Sequence, residues 1–213
     1  MGIFGDMGYT PGAVLLMTVL CSFLGFALEN IWLAARKGFM DNRNMFAPLL
    51  LGYGIAVMAF YFVLGTPGNL RFFGIPSKSG AKAQFGAYFL LTFVLVSVGE
   101  ILLGTAIEKT CGIIWWDYTS IPMHITRYTS VPTSLGFTVV IVTFMDCFFE
   151  HIMDALMTLD PTRSCIFGGT LFAISAADLI FNLVRMRRTG SLMTLWKLDL
   201  TTKSFERYKY NRQ

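Results

Sequence analysis

Long apolar stretches restrict the fold of this chain more than any other feature of its sequence. The first covers residues 13–35, and a helix of that length would measure about 34 Å, enough to cross a hydrocarbon core of about 30 Å. Four more stretches of similar character cover residues 46–64, 85–107, 134–156 and 164–184. The sequence therefore predicts an all-α fold, a polytopic transmembrane helical bundle with about five spans.

Composition supports a membrane protein over a soluble one. Hydrophobic residues make up 54% of the chain and charged residues only 14%. The formal net charge is +4, and most basic residues lie in one short loop or after residue 182. We predict a transmembrane domain over residues 1–188 and a basic cytoplasmic tail over residues 189–213. Such a tail indicates contact with membrane lipids, and we expect no nucleic-acid partner.

The positions of the basic residues also predict an orientation. The loop between the first two spans holds Arg36, Lys37 and Arg43, and cytoplasmic loops of membrane proteins are enriched in such residues. We expect a multi-pass protein of the inner (plasma) membrane, with the N-terminus outside and the C-terminus in the cytoplasm. Residues 108–133 are interrupted by two prolines, which favours an interfacial or re-entrant element on the inner side. In the tail, Trp196, Leu198 and Leu200 alternate with polar residues, as in a short strand or an interfacial strip.

Acidic residues inside the apolar stretches are the candidate functional groups. A carboxylate in the hydrocarbon region is unfavourable unless it is protonated, paired or hydrated, so it indicates a functional site. The stretches contain no basic residue, which predicts that a proton, a cation, water or hydrogen-bond donors such as Tyr53 satisfy these acids. Six acids lie within predicted spans and a seventh lies just beyond one: Glu29, Glu100, Asp146, Glu150, Asp154 and Asp178, and Glu108.

Helical spacing arranges these acids in two stripes. Glu100 and Glu108 are eight residues apart with Gly104 between them, and they lead to the aromatic cluster Trp116, Asp117 and Tyr118. In the fourth span, an acid recurs every four residues, at Asp146, Glu150 and Asp154, which puts all three on one face of a continuous helix. The functional interpretation is a cation or proton path or the lining of a substrate cavity. The structural interpretation is that each acid is protonated, hydrogen-bonded or at the headgroup level.

Other kinds of chemistry find little support in the sequence. It contains no HExxH, GxSxG or GxxxxGK[ST] motif, so we expect no cofactor and no ATP hydrolysis by this chain itself. His151 has acidic and sulfur-containing neighbours, but adjacent residues diverge by about 100° on a helix, so a metal site is not assigned. The four cysteines lie far apart and are interpreted as packing residues.

Several segments together resemble a known family. They are FALEN (26–30), GFMDNR (38–43), APLLLGYG (47–54), GEILLGTAIEKTCGIIWWDY (99–118) and the Ser134-Leu135-Gly136 entry to the fourth span. The chain is similar over these segments to bacterial membrane proteins described as putative ABC-transporter type IV, or CmpB-like permeases. The resemblance implies a membrane permease and, as partner, a separate ATPase subunit or a larger membrane complex.

The resemblance also implies a set of characteristic residues and shows two departures. The family favours Gly-Pro and Pro-Ile-Tyr-Gly where this chain has Ala47-Pro48 and residues 51–54, and it favours Gly-Arg where Thr126-Arg127 stands here. The characteristic residues correspond here to Glu29, Arg43, Pro48, Tyr53, Gly54, Glu100, Gly104, Glu108, Trp116, Asp117 and Tyr118.

Three functions remain open from the sequence. The first is a permease whose cavity is lined by Glu29, Glu100 and Glu108, with Tyr53 nearby and a gate at residues 116–118. Its ATPase would bind at residues 36–45 or 108–133. The second is an intramembrane enzyme acting on a lipid-like substrate with paired acids, which we expect less than a non-enzymatic role. The third is an accessory subunit of a larger complex, whose acids are structural.

Overall fold

The computed structural model describes residues 8–207 and shows six helices joined by short strands. Residues 1–7 and the last part of the predicted tail, 208–213, lie outside the described residues. The helices are α1 (Pro11–Lys37), α2 (Leu51–Leu64), α3 (Ala81–Cys111), α4 (Val131–Cys147), α5 (Phe149–Met157) and α6 (Pro161–Thr189). The strands are β1 (Phe39–Asp41), β2 (Gly65–Thr66), β3 (Asn69–Phe72), β4 (Ile75–Pro76), β5 (His124–Thr126), β6 (Thr129–Ser130), β7 (Trp196–Asp199) and β8 (Ser204–Arg207). The all-α prediction therefore holds for the long elements and misses the short strands other than the one in the tail.

The number of membrane spans differs from the prediction. Three helices, α1, α3 and α6, are long and apolar enough to cross a membrane. Helices α4 and α5 are bent by 47° at the break between them and count as a fourth span only if the pair crosses as one. Helix α2 has 14 residues, so it is about 21 Å long, shorter than a hydrocarbon core. The prediction of about five spans is not confirmed, because the chain leaves helical geometry before Leu51 and again at Phe148.

The helices have a polar interior and an apolar exterior, as expected in lipid. The buried residues of α6 recur every three to seven positions and are small or polar apart from one methionine: Ser164, Gly168, Ser175, Asp178, Asn182 and Met186. Its exposed residues include Ile166, Phe167, Ile180 and Phe181. A soluble protein would bury the second set and expose the first. The chain is therefore a helical membrane protein, in which small residues allow close helix packing and apolar residues face lipid.

The described residues divide into two compact units. Unit 1 comprises residues 8–56 and 156–207, and it contains α1, α6 and the sheet β1-β7-β8. A Cβ atom on Gly12 would lie 2.3 Å from Ser164 Oγ, so the N-terminal ends of α1 and α6 are together. Strand β1 follows α1 and pairs antiparallel with β7, which follows α6. The two helices therefore run in the same direction, and strand β7 of the tail lies at the same end of unit 1 as the loop after α1.

The tail provides one strand that the sequence pattern predicts. Trp196 and Leu198 belong to β7, whose alternation matches the predicted short strand. Met40 lies opposite Leu198 in the pairing with β1, and Leu198 lies opposite Phe205 in the pairing with β8.

Unit 2 comprises residues 57–155 and is built on the packing of α3 against α4. The hairpin β5-β6 leads into α4 and contacts α3 through β6. Ser130 caps the N-terminus of α4, where the Ser130 and Thr133 side chains satisfy each other's backbone N–H groups. Residues 108–133, predicted as an interfacial or re-entrant element, thus comprise the last turn of α3, an irregular segment, this hairpin and the first turn of α4.

Candidate functional site

Glu29 lies on α1 inside unit 1, where two side chains, those of Arg43 and Tyr53, contact its carboxylate. Arg43 approaches Glu29 Oε2 with its Nη2 at 2.6 Å and its Nε at 2.9 Å, and the Tyr53 hydroxyl donates to Oε1 at 2.8 Å. The Tyr53 ring packs on Gly25, one turn earlier on α1, where an added Cβ would lie 2.3 Å from the ring. The structure thus brings together two residues predicted for the site, Glu29 and Tyr53.

The loop that carries Arg43 is fixed on α1 by its own polar contacts. Asn30 accepts a hydrogen bond from the Asp41 N–H at 2.8 Å, and Asp41 accepts one from the Arg43 N–H at 2.8 Å. Burial lowers the pKa of Arg43, but the charges of Glu29 and Asp41 outweigh it, so the net shift is upward. The guanidinium therefore stays cationic beside Glu29.

Glu108 lies in the last turn of α3 in unit 2 and has the same kinds of partner. The Tyr128 hydroxyl donates to Glu108 Oε2 in a short hydrogen bond, and Arg127 Nη1 lies 3.1 Å from Oε1. The Tyr128 ring packs on Gly104, where an added Cβ would lie 2.3 Å from the ring. Burial raises the pKa of Tyr128, and the hydrogen bond to Glu108 raises it further, so the phenol stays protonated and donates.

These contacts correct the prediction that the acids have no cationic partner. Glu29 and Glu108 each form an ion pair with an arginine from the segment that follows their helix. Hydropathy assigns Arg43 and Arg127 to loops. The sequence contains no sign that either loop folds back onto the preceding helix. The side chains of the first pair are 18% and 27% exposed, against 44% and 40% for the second, so the first pair is better shielded from solvent.

Glu100 lies on α3, eight residues before Glu108, and contacts two hydroxyl groups. Thr129 Oγ1 donates to Glu100 Oε2 at 2.7 Å, and Ser134 Oγ donates to the same oxygen at 3.0 Å. The two hydroxyl oxygens are themselves 2.7 Å apart. Three oxygens therefore form a triangle in which every edge has hydrogen-bond length. The sequence predicts Glu100 but contains no signal for Thr129, and it includes Ser134 only in the family resemblance.

The segment Trp116–Tyr118 supports the residues that bind Glu108. The Trp116 Nε1–H donates to the Tyr128 carbonyl at 3.0 Å, and the Tyr118 N–H donates to the Arg127 carbonyl at 2.8 Å. Asp117 is exposed and accepts a hydrogen bond from the Thr119 N–H at 2.8 Å, which holds the pKa of its carboxyl below the ordinary value. The segment thus orients Arg127 and Tyr128, and Asp117 closes a local turn.

The second acidic stripe does not lie on one continuous helix. Asp146 belongs to α4, whereas Glu150 and Asp154 belong to α5, beyond the break at Phe148. All three are exposed, and Glu150 accepts a hydrogen bond from Thr66 Oγ1 at 3.0 Å. The sequence around the break contains no proline or glycine, so nothing local predicts it. The four-residue spacing therefore predicts one continuous helix face, whereas the structure divides the three acids between two helices.

Asp178, which the sequence places in a span without assigning it to the site, has a clear structural partner. Its carboxylate accepts hydrogen bonds from the Phe46 N–H at 3.0 Å and the Ala47 N–H at 2.8 Å, and Asn182 Nδ2 donates to it at 2.6 Å. Residues 46–50 precede α2 and are not helical, so their N–H groups need partners outside the segment. Asp178 supplies two of these partners.

Unit 1 also has an open groove of about 440 Å³ that contains none of the predicted acids. Its lining is aliphatic and aromatic: Leu16, Val19, Leu20, Phe23, Pro48, Leu49, Leu156 and Leu171. Within residues 8–207, no three His, Cys, Asp or Glu side chains are grouped so as to hold a metal ion.

Comparison with known proteins identifies a family for this chain. The family model described as "Putative ABC-transporter type IV" matches residues 16–183, which is most of the chain and includes Glu29, Glu100 and Glu108. No curated protein and no solved structure matches the chain.

Proposed function

Because the chain belongs to the family described as "Putative ABC-transporter type IV", we propose that it is the membrane-spanning subunit of a transport system that binds a small solute or cation at carboxylates inside the membrane. Glu29, Glu100 and Glu108 are the proposed binding residues, with Tyr53 and the segment Trp116–Tyr118 as their support. The observation that carries this proposal is the oxygen triangle of Glu100, Thr129 and Ser134.

Counting protons in the triangle indicates what Glu100 binds. Three hydrogen bonds around the triangle need three protons, and the hydroxyls of Thr129 and Ser134 supply two. With Glu100 ionised, both hydroxyls donate to its carboxylate and the Thr129–Ser134 edge lacks a proton. With Glu100 protonated, its carboxyl donates to one hydroxyl, that hydroxyl donates to the other, and all three edges are hydrogen bonds. The triangle offers three oxygens, fewer than the six to eight that Ca²⁺ takes. We propose a proton as the ligand, because protonation would make every edge of the triangle a hydrogen bond and would remove the charge of a half-buried carboxylate from the hydrocarbon region.

The direction of α1 and α6 supports a five-span topology. Two parallel helices require an odd number of crossings between them. If the α4–α5 pair and α3 both cross, α2 must cross as well. Helix α2 is short, but the apolar residues 46–50 extend it, and their backbone is satisfied by Asp178 and by the Ser22 carbonyl, which accepts from the Leu50 N–H at 3.0 Å. We propose that the loop after α1 and the tail face the cytoplasm of the inner membrane, since both are basic.

The protonation of Glu100 has a direct spectroscopic test. In lipid bilayers at neutral pH, infrared spectra of the protein are expected to contain a carboxylic acid C=O band that Glu100→Gln removes, because the proposed third proton of the triangle lies on the Glu100 carboxyl. Asp154→Asn is the matched control, since Asp154 is exposed and its replacement is expected to leave the band unchanged. Identical spectra for wild type and Glu100→Gln would rule out a protonated Glu100.

The subunit assignment has a separate test. An affinity-tagged chain, extracted from native membranes in mild detergent, is expected to copurify with an ATP-hydrolysing subunit in fixed stoichiometry. The sequence of this chain contains no GxxxxGK[ST] motif, so ATP hydrolysis in the sample must come from another chain. Purification without ATPase activity, from membranes in which the full complex is expressed, would argue against an ABC-type transporter.

An accessory role without transport chemistry is the second candidate, and one observation favours it. Glu29, Glu108 and Asp178 all make contacts that fix loops or hairpins to helices. If these were the only tasks of the intramembrane acids, the chain would be a scaffold. Copurification with stoichiometric partners, together with an infrared spectrum insensitive to Glu100→Gln, would support this alternative.

A further inference from the structure

The clusters around Glu29 and Glu108 are built from the same four residue types. In each, a helix carries a glycine and, four residues later, a glutamate: Gly25 and Glu29 on α1, Gly104 and Glu108 on α3. In each, a tyrosine ring lies on the glycine and its hydroxyl donates to the glutamate. In each, an arginine forms an ion pair with the same carboxylate.

The shared geometry has a simple physical basis. Four residues of α-helix rise about 6 Å, close to the distance from the Cβ atom of a tyrosine to its hydroxyl oxygen. Residues four apart lie on one face, so a tyrosine whose ring covers the glycine can reach the glutamate with its hydroxyl. Only glycine leaves room, since a Cβ at Gly25 or Gly104 would lie 2.3 Å from a ring carbon. The arginine then compensates the charge that the tyrosine alone would leave.

The order along the chain is also the same, although the spacing is not. Both clusters run glycine, glutamate, arginine, tyrosine. Arg43 precedes Tyr53 by ten residues, whereas Arg127 and Tyr128 are adjacent. The helix of each cluster ends at a glycine in the left-handed conformation, Gly38 or Gly112, whose N–H bonds back to the last turn. Because of this difference in spacing, the two clusters do not form a repeat of fixed period in the sequence.

We propose that the two clusters are copies of one element, a clasp, and that each clasp fixes the segment following its helix onto that helix. Clasp 1 is Gly25, Glu29, Arg43 and Tyr53, and it fixes residues 38–50. Clasp 2 is Gly104, Glu108, Arg127 and Tyr128, and it fixes residues 112–130. Each clasp lies within one unit, so each acts on its own segment. The inference stands on these contacts alone and does not require transport.

Hydrogen exchange of the protein in lipid nanodiscs tests both clasps. Tyr53→Phe keeps the ring on Gly25 and removes one hydroxyl donor to a carboxylate, so exchange in residues 38–50 is expected to rise about tenfold while residues 112–130 stay unchanged. Tyr128→Phe is expected to do the reverse. Tyr88→Phe is the matched control, because the Tyr88 hydroxyl donates to the Gly65 carbonyl, outside both clasps.

A charge exchange adds an independent arm at the more exposed pair. Glu108→Arg alone is expected to accelerate exchange in residues 112–130, and adding Arg127→Glu is expected to restore slow exchange, because opposite charges face each other again. Unchanged exchange in both Tyr53→Phe and Tyr128→Phe would overturn the proposal. So would accelerated exchange in both segments from either single variant, since that would indicate general loosening instead of two separate clasps.

Discussion

Asp178→Ala is expected to destabilise the protein by about 3–5 kcal/mol. The side chain is 8% exposed and accepts hydrogen bonds from the Phe46 and Ala47 N–H groups. Alanine leaves both backbone donors without their partner, and each buried donor left unsatisfied costs about 1–3 kcal/mol. Asn182 loses an acceptor as well, since its Nδ2 lies 2.6 Å from Asp178 Oδ1. The measurement is the free energy of unfolding in mixed micelles, titrated with a denaturing detergent.

Two further variants define the source of this loss. Asp178→Asn keeps one acceptor oxygen but presents an NH₂ group where the carboxylate had a second oxygen, so its loss is expected to be intermediate. Asp154→Ala removes an exposed carboxylate and is expected to change stability by less than about 0.5 kcal/mol. If Asp178→Ala unfolds at the same detergent fraction as Asp154→Ala, the hydrogen bonds to residues 46 and 47 contribute nothing measurable.

The position of the long helices could be predicted from hydropathy because that signal is local. The stretches 13–35, 85–107 and 164–184 all lie inside observed helices, which extend beyond them at both ends. Helix α6 begins at Pro161, before the predicted start at residue 164. A capping residue lies at this point, since the Asp160 carboxylate accepts a hydrogen bond from the Arg163 N–H at 2.8 Å. An average over apolar residues does not detect such a cap.

The departures from the prediction have tertiary causes. Residues 46–50 are as apolar as a helix, yet they are not helical, because Asp178, 131 residues away from Ala47, accepts hydrogen bonds from the N–H groups of Phe46 and Ala47. The break at Phe148 separates α4 from α5 without any residue that ends helices by itself. Pairing of β1 with β7 joins segments far apart in the sequence, so the alternation at Trp196 and Leu198 predicts a strand but not its partner.

The candidate site shows the same division. Charge and spacing identify Glu29, Glu100 and Glu108, because carboxylates in apolar helices are rare. Their partners are loop arginines, two tyrosines and two hydroxyl residues. Of these, the sequence predicts Tyr53 as a donor, and the others are not unusual where they occur in the sequence. In each case a helix carries the acid and another segment carries its partner. Only the structure shows that Glu29 and Glu108 form ion pairs with arginines, whereas Glu100 accepts hydrogen bonds from hydroxyl groups.

Gly54→Ala is expected to destabilise the protein by about 3 kcal/mol, because Gly54 of α2 lies directly against the backbone of α1 within unit 1. A Cβ atom there would lie 2.0 Å from the Thr18 carbonyl oxygen and 2.4 Å from Ser22 Oγ. The nearest atom belongs to the backbone of α1, so relief requires moving a helix, and overpacking of this kind costs about 1–3 kcal/mol or more. Thermal and detergent-induced unfolding of the purified variant measure the loss.

Gly52→Ala is a matched control on the same turn of α2. The two substitutions are expected to change the free energy of unfolding in opposite directions, which distinguishes steric overlap from a general effect of replacing glycine. No atom lies within 4 Å of a Cβ at Gly52, and alanine stabilises a helix by about 0.5–1 kcal/mol relative to glycine. Gly52→Ala is therefore expected to be neutral or stabilising. Moving α2 away from α1 would also lift the Tyr53 ring from Gly25, so Gly54→Ala should accelerate hydrogen exchange in residues 38–50. Equal stability of the two alanine variants would show that the contact between α1 and α2 at Gly54 does not determine how these helices pack.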